Sequence, residues 1–436
     1  MDPFFKNIDS QVIKNIYFTY HEFKKNNMKF IHAADLHLDG ASAKIKTFYG
    51  QEELSIVEAS QSAFISLIDL SNKHQVDFVL LSGDLFDSNW KDYALGLFFI
   101  EQIKRLNCPV YYIKGNHDAE NRLLKTLPFP ENLNVFGSKE PETFLLDHLK
   151  AAIHGQSYSH YHTKEDLAEK YPKRTVGYFN IGLLHTSGEK NNSEDPYAPY
   201  DKKKLEEKKY NYWALGHIHT AKIISEEPYI VYSGTSQGRN IKEVGLKGCY
   251  LVEVEDASIK TISFKVLGNI VWEVIEVDIS NCLSENSVKE CLKEKVLDIL
   301  EAIGSDKKLV LRFIFYGKNF SEKPIYEELE YWRNSLYCYF SNEFERNLYI
   351  EKIIDKTIDK NSSSKNEDSE LMSYLIDSLS IETNKERVKL YIDEDRKSLL
   401  SKLPAPVLNE INDCEIKHDA AQVSQYIKQK ISEAIE

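Results

Sequence analysis

The stretch Phe30-Ile-His-Ala-Ala-Asp-Leu-His-Leu-Asp39 decides how this chain is read. Phe30 and Ile31 open it as a buried strand opens. Asp35 and His37 follow two residues apart, and in an extended chain residues i and i+2 point to the same face. One strand end therefore offers a carboxylate and an imidazole side by side, the first grip on a metal ion.

Four later stretches repeat the design, each an apolar β-rich run ending in polar donors. They are Asp77-Phe-Val-Leu-Leu-Ser-Gly-Asp84 (continuing to Asp87), Val110-Tyr-Tyr-Ile-Lys-Gly-Asn-His-Asp118, Phe179-Asn-Ile-Gly-Leu-Leu-His185 and Tyr210-Asn-Tyr-Trp-Ala-Leu-Gly-His-Ile-His219. Together the runs offer Asp35, His37, Asp84, Asn116, His185, His217 and His219. That is too many donors for one tetrahedral site and about right for two metals. No cysteine is among them, which argues against a structural zinc site. Any one of these histidines alone would serve as well as a hydrogen-bonded core residue, and Asp84 or Asn116 alone as an Asx turn. Five stretches of one design, all at strand ends, are not explained that way.

The chain of 436 residues is long enough for two or three domains. Its formal net charge of -13 excludes the whole-protein basic field of a stand-alone nucleic-acid binder. Two divalent ions would restore about four positive charges where a phosphate must sit. The six cysteines are scattered and form no CxxC pair, which reads as a reduced, cytoplasmic protein. No apolar run approaches the ~20 residues of a membrane span. In residues 1–27, charges interrupt the apolar residues, so no signal-peptide core is present. Val12, Ile16, Tyr20 and Phe23 fall at helical spacing there. Either an amphipathic helix packs on the body or a partner, or the natural start is Met28.

Helix-period stripes cover about 50–75 and 90–106, the second ending before Cys108-Pro109. Strand and helix alternate, which predicts a layered α/β domain with its ligands at strand C-termini. The runs Tyr229 to Ser233, Cys249 to Val254 and Ile259 to Leu267 predict a second sheet stacked on the first, giving a four-layered αββα sandwich over 28–268. Residues 269–355 read as a small α+β capping domain: strand 270–277, helix 285–302, strand 309–315. A polar linker at 356–369 and a helical tail at 370–436 follow.

These residues resemble the calcineurin-like metallophosphoesterase signature D-x-H, G-D-x-x-D, G-N-H-D, H and G-H-x-H. The flanking Ile31 to Asp39, Pro196-Tyr-Ala-Pro199, Tyr212 to His219 and Gly234-Thr-Ser-Gln-Gly-Arg239 are similar to SbcD-type DNA repair exonucleases of the YhaO-like branch. The resemblance covers about residues 28–270 and extends weakly to 355. It departs at Gly234-Thr235, where the family often has G-N.

The resemblance implies one metal on Asp35, His37 and His219, a second on Asn116, His185 and His217, and Asp84 bridging them. The metals would be divalent, most often Mn²⁺. His117 is the candidate proton donor to the leaving oxygen, a role worth ~10²–10⁴ in rate, with Asp118 orienting its ring. Asp87 fills the last place of G-D-x-x-D, as a catalytic group or as a hydrogen-bonding support. Arg239 is either a phosphate contact or a surface turn arginine. The lysines at 202–204 and 208–209, interleaved with Glu206 and Glu207, either touch a DNA backbone or form a solvated helix face.

Three functions fit. The first is a metal-dependent DNA nuclease, exonucleolytic and perhaps also endonucleolytic, working with an SMC-like coiled-coil ATPase that supplies DNA-binding surface. The resemblance also implies a homodimer, and nothing points to a membrane. The second is a small-substrate phosphoesterase acting on a cyclic nucleotide or phosphomonoester, against which the long C-terminal extension counts. The third is a structural subunit, against which an intact His117 counts.

Overall fold

The computed structural model describes residues 27–358 apart from 41–52, 88–91, 190–196, 305, 321–324 and 345–347. The expected N-terminal helix, the helical tail and nearly all of the linker lie outside the described residues.

The first sheet is built around β1 (Met28–Ala33), β2 (Phe78–Ser82), β3 (Val110–Ile113) and β4 (Leu133–Val135), parallel neighbours in that order. Both of its faces are buried, so its strands read as continuous apolar runs. The side-chain period of two divides them. Phe30 and His32 point to the second sheet, where they meet Tyr212, while Ile31 and Ala33 join the core under the helices.

Helix α1 (Ile56–His74) starts at Ser55, whose hydroxyl accepts the Glu58 N–H at 3.2 Å. It ends at Gln75 in the left-handed region at φ 51°. Its buried stripe, Ile56, Ala59, Ala63, Phe64, Leu67 and Ile68, faces the sheet. Helix α2 (Tyr93–Lys104) lies in the same layer, capped by Asp92. A one-turn helix, α3 (Asn116–Ala119), follows β3.

The second sheet has the order β5 (Glu142–Leu146), β6 (Ala151–Gly155), β7 (Phe179–His185), β8 (Tyr212–Gly216), β10 (Tyr229–Tyr232), β9 (Lys222–Glu226). Its central four strands are parallel. A core of Phe30, Phe78, Leu80, Ile113, Ile181, Leu183, Ala214 and Val231 fills the space between the sheets. The outer layer over this sheet is thin: α4 (Lys202–Glu207), a 3₁₀ turn at Leu167–Lys170, and Tyr210 stacked on Trp213 at 4.8 Å.

The layering follows the α/β expectation, with one correction. Of the three strand runs assigned to the second sheet, only β10 belongs there. β11 (Gly248–Glu255) and β12 (Ser258–Val266) extend the first sheet, with β11 antiparallel to β1. Hydrophobic pattern fixes a strand's faces, not its neighbour. β5 and β6, short and partly polar in β5, carry too little pattern to be expected from the sequence.

The third sheet is β13 (Ile270–Asp278), β14 (Lys308–Lys318) and β15 (Leu348–Ile358), all parallel. β15 takes in the first residues assigned to the linker. Helices α5 (Glu285–Ile303) and α6 (Leu329–Phe344) cover one face and share a separate core with it. The other face sets Ile270, Trp272, Val310 and Tyr349 against Leu54, Ile56 and Ala59. Among the described residues, no helix is long and apolar enough to cross a membrane.

Candidate metal centre

The C-terminal ends of β1, β2, β3, β7 and β8 converge where the two sheets meet, bringing all seven expected donors to one rim. The rims are tied together by main-chain bonds. Asp35 N–H donates to Gly83 O at 2.9 Å, His37 N–H to Asp84 O at 3.2 Å and Leu38 N–H to Leu85 O at 2.9 Å. The Asp35 carboxylate accepts the His217 N–H at 2.9 Å, and the Thr235 hydroxyl donates to Asp35 O at 2.6 Å.

These ties hold unusual backbone. Asp35, His37, Asp84 and His217 have φ of 51°, 38°, 54° and 94°. Such conformations cost roughly 1–3 kcal/mol each and persist where the surroundings over-determine them, commonly at working sites. Glycines supply the close approaches. A Cβ at Gly115 would lie 2.2 Å from Asp84 Oδ1, and one at Gly216 would lie 2.0 Å from Ser82 O.

The donors fall into two groups. Asp35, His37 and His219 form one, and Asp84, His185 and His217 the other, the atoms of each within 4.8 Å of one another. Asn116 joins the second group, its Oδ1 2.9 Å from His185 Nε2 and 3.2 Å from His217 Nδ1. Asp84 stands between the groups: its Oδ2 is 3.2 Å from His185 Nε2 and 4.0 Å from His37 Nε2.

The set fits divalent cations. All donors are oxygen or imidazole nitrogen. His185 Nδ1 lies 2.8 Å from Ser82 O, a main-chain acceptor that fixes the ring and turns Nε2 toward Asp84 and Asn116. Both ring nitrogens of His37 are buried without an aligned hydrogen bond: Nδ1 makes a close ion-pair contact with Asp87 Oδ1 at 2.7 Å, and Nε2 is open to a cation.

The electrostatics follow from burial and pairing. Burial works to raise the Asp84 carboxyl, but His185 and His37 override it and hold it well below the usual range. Burial alone would lower His185; the Asp84 charge instead lifts it to about 9. Burial lowers His217 to about 3 and also lowers His117.

His117 lies at the edge, with its side chain 28 % exposed. Its ring centre is 5.3 Å from that of His37 and 5.4 Å from that of Tyr161. Asp118 sits elsewhere than expected. Its carboxylate accepts the N–H groups of Leu85, Phe86 and Gly115, pinning the β2 and β3 loops together rather than steering the His117 ring. Burial and the Asp84 charge push Asp118 up to about 6.

Asp87 abuts His37, with Oδ1 2.7 Å from Nδ1, and burial is outweighed so that its carboxyl lies at about 2. Arg239 is not a surface arginine. It is buried and paired with Asp87 and Glu243. Glu243, which carries no motif of its own, accepts from His219 Nδ1 at 2.7 Å. The available signal was a carboxylate four residues after Arg239, in a stretch already marked by its motif. Lys202, Lys204 and Lys208 pair with Glu206, Glu169 and main-chain carbonyls in the outer layer.

Residues 28–221 match the family of calcineurin-like phosphoesterases. The chain is 35 % identical over 281 residues to the uncharacterized metallophosphoesterase YhaO of Bacillus subtilis, covering 62 % of this chain and 67 % of that one. It is 25 % identical over 292 residues to the DNA double-strand break repair protein Mre11 of Sulfurisphaera tokodaii, covering 62 % and 72 %. Over 96 residues it is 30 % identical to a component of the nuclease SbcCD of Escherichia coli K12, covering 21 % and 22 %. This chain belongs to the calcineurin-like metallophosphoesterase family, whose members hydrolyse phosphoesters at a two-metal centre.

Proposed function

We propose that this protein is a dinuclear metal-dependent DNA nuclease, cleaving phosphodiester bonds with Mn²⁺ and acting beside an SMC-like coiled-coil ATPase. The observation that carries the reading is the pair of donor groups with Asp84 between them and His117 at their edge. Asp35, His37 and His219 would hold one cation, Asn116, His185 and His217 the other, and Asp84 both. Two cations so held supply, when bound, Lewis-acid polarisation of a phosphoryl oxygen and a water of lowered pKa.

The chain's own residues do the rest. His117, at the exposed edge, delivers a proton from its imidazolium form to the departing sugar oxygen and is left as the neutral imidazole. Asp118 holds the turn that carries His117 against the loop that carries Asp84. Hydrogen bonds to Ser82 O and Glu243 hold the rings of His185 and His219 in one orientation. DNA as substrate is supported by two relatives whose names describe break repair and a nuclease. A third sheet beyond the catalytic fold, more than a small substrate requires, supports it too. The net charge of -13 favours a partner that supplies basic surface.

The test is shortening of end-labelled linear duplex with added Mn²⁺, set beside hydrolysis of a small phosphodiester. Mn²⁺-dependent shortening is expected. Small-ester hydrolysis with intact DNA, in the presence and absence of the ATPase, would replace the nuclease reading by a small-substrate phosphoesterase.

A further inference from the structure

The two candidate metal positions are braced by different means. In the group of Asp84, Asn116, His185 and His217, the outer nitrogen of His185 rests on a main-chain oxygen, Ser82 O at 2.8 Å. In the group of Asp35, His37 and His219, both imidazoles rest on side-chain carboxylates. Asp87 Oδ1 is 2.7 Å from His37 Nδ1, and Glu243 Oε1 is 2.7 Å from His219 Nδ1.

Arg239 lies between these two carboxylates. Its Nη1 is 3.3 Å from Asp87 Oδ1 and its Nη2 is 3.2 Å from Glu243 Oε1, with the side chain 11 % exposed. The Arg239 main-chain N–H also donates to Glu243 Oε2 at 2.7 Å. A chain of close ion-pair contacts therefore runs His37, Asp87, Arg239, Glu243, His219. It joins segments that are distant in sequence: the loops after β1 and β2, the β8–β9 turn and the β10–β11 connection.

The chemistry requires an arginine. Two carboxylates brought together out of water repel each other and lose solvation unless a cation lies between them. A planar guanidinium presents fixed donors in two directions and can hold both; an ammonium is a point charge that cannot fix both geometries. With both Nη groups engaged by carboxylates, Arg239 is placed to hold the site.

We propose that Arg239 is a positioning residue that sets the metal affinity of the Asp35/His37/His219 position and leaves the other position unaffected. The proposal rests on the two-metal reading above. Through Asp87 and Glu243, Arg239 fixes the rotation of both rings and hence where their Nε2 atoms aim. Loss of such outer support typically costs 10–100-fold in metal affinity.

The experiment is a calorimetric titration of chelator-stripped full-length protein with MnCl₂, with bound Mn²⁺ counted by electron paramagnetic resonance. Wild type is expected to take two ions, and His219→Ala identifies which binding class is the Asp35/His37/His219 position. Arg239→Gln should weaken that class roughly 10–100-fold and leave the other unchanged. Arg239→Lys should fall between. Asp87→Asn and Glu243→Gln should weaken the same class, and neither should add fully to Arg239→Gln. The metal-free melting temperature measures general damage. If Arg239→Gln fails to fold, Arg239→Lys and Glu243→Gln decide.

Equal weakening of both classes, or of neither, overturns the proposal and leaves the two-metal reading standing. A wild type that binds fewer than two ions overturns both.

Discussion

Asp84 accepts the main-chain N–H of His117 through Oδ1 at 3.0 Å, while its Oδ2 lies 3.2 Å from His185 Nε2. The candidate bridging carboxylate thus also anchors the main chain that carries the candidate proton donor, so His117 is held beside the metal positions without being needed as a ligand.

Replacing His117 with Ala is accordingly expected to lower the rate of phosphodiester cleavage by ~10²–10⁴ while both ions stay bound. Single-turnover cleavage of end-labelled duplex, run beside a Mn²⁺ count on the same sample, checks it. A variant that loses a metal together with activity would make His117 a ligand instead.

Asp84 and His219 should differ in what they remove. Asp84→Ala is expected to weaken both positions roughly tenfold or more, His219→Ala only one, because Asp84 alone lies between the two groups. Stoichiometry by calorimetry separates them. A single class lost in Asp84→Ala would end the bridging role.

Gly216 permits the sheets to close at the site. A Cβ there would lie 2.0 Å from Ser82 O and 2.9 Å from His185 Nδ1. Gly216→Ala is expected to destabilise by about 1–3 kcal/mol or more and to lower the urea midpoint. Mn²⁺ uptake should fall as well. A variant with unchanged midpoint and full uptake would show that the β8 rim can shift at no cost.

His32 gives the fold a pH dependence of its own. It is fully buried between the sheets, with Nδ1 2.9 Å from the Tyr212 hydroxyl and Nε2 3.2 Å from Leu215 O. Burial pushes its imidazole down to about 3 from the ordinary 6.5. Between those values the unfolded chain binds a proton that the folded chain does not. Stability is therefore lost as pH falls from about 6.5 toward 3, by up to about 1.4 kcal/mol per pH unit from this group. His32→Gln, which keeps a donor and an acceptor, should flatten that slope. Urea unfolding of metal-free protein from pH 7.5 to 4.5 measures it, and identical slopes in the two proteins would remove His32 as the cause.

Much of this architecture was legible before folding was considered. Runs such as Phe78–Ser82 followed by Asp84 are local statements of a buried strand with a polar end, and the stripe of α1 is a local statement of a helix on a sheet. The placement of β11 and β12 was not legible, because their alternation defines two faces and says nothing about which edge they join. Asp118 directly follows His117, yet its carboxylate turns back to the β2 loop. At a one-turn helix, side chains next to each other in sequence point apart.

The sequence by itself determined the donor chemistry: seven oxygen and nitrogen donors at strand ends, no thiol among them, in an order that implies a strand–helix scaffold. Only the tertiary structure decided which donors meet, that Asp84 stands between the groups, and that Arg239 is bound between Asp87 and Glu243 rather than exposed. The physical reason is distance along the chain. Arg239 and Asp87 are 152 residues apart, and no periodicity or spacing records a contact that exists only once two sheets have packed.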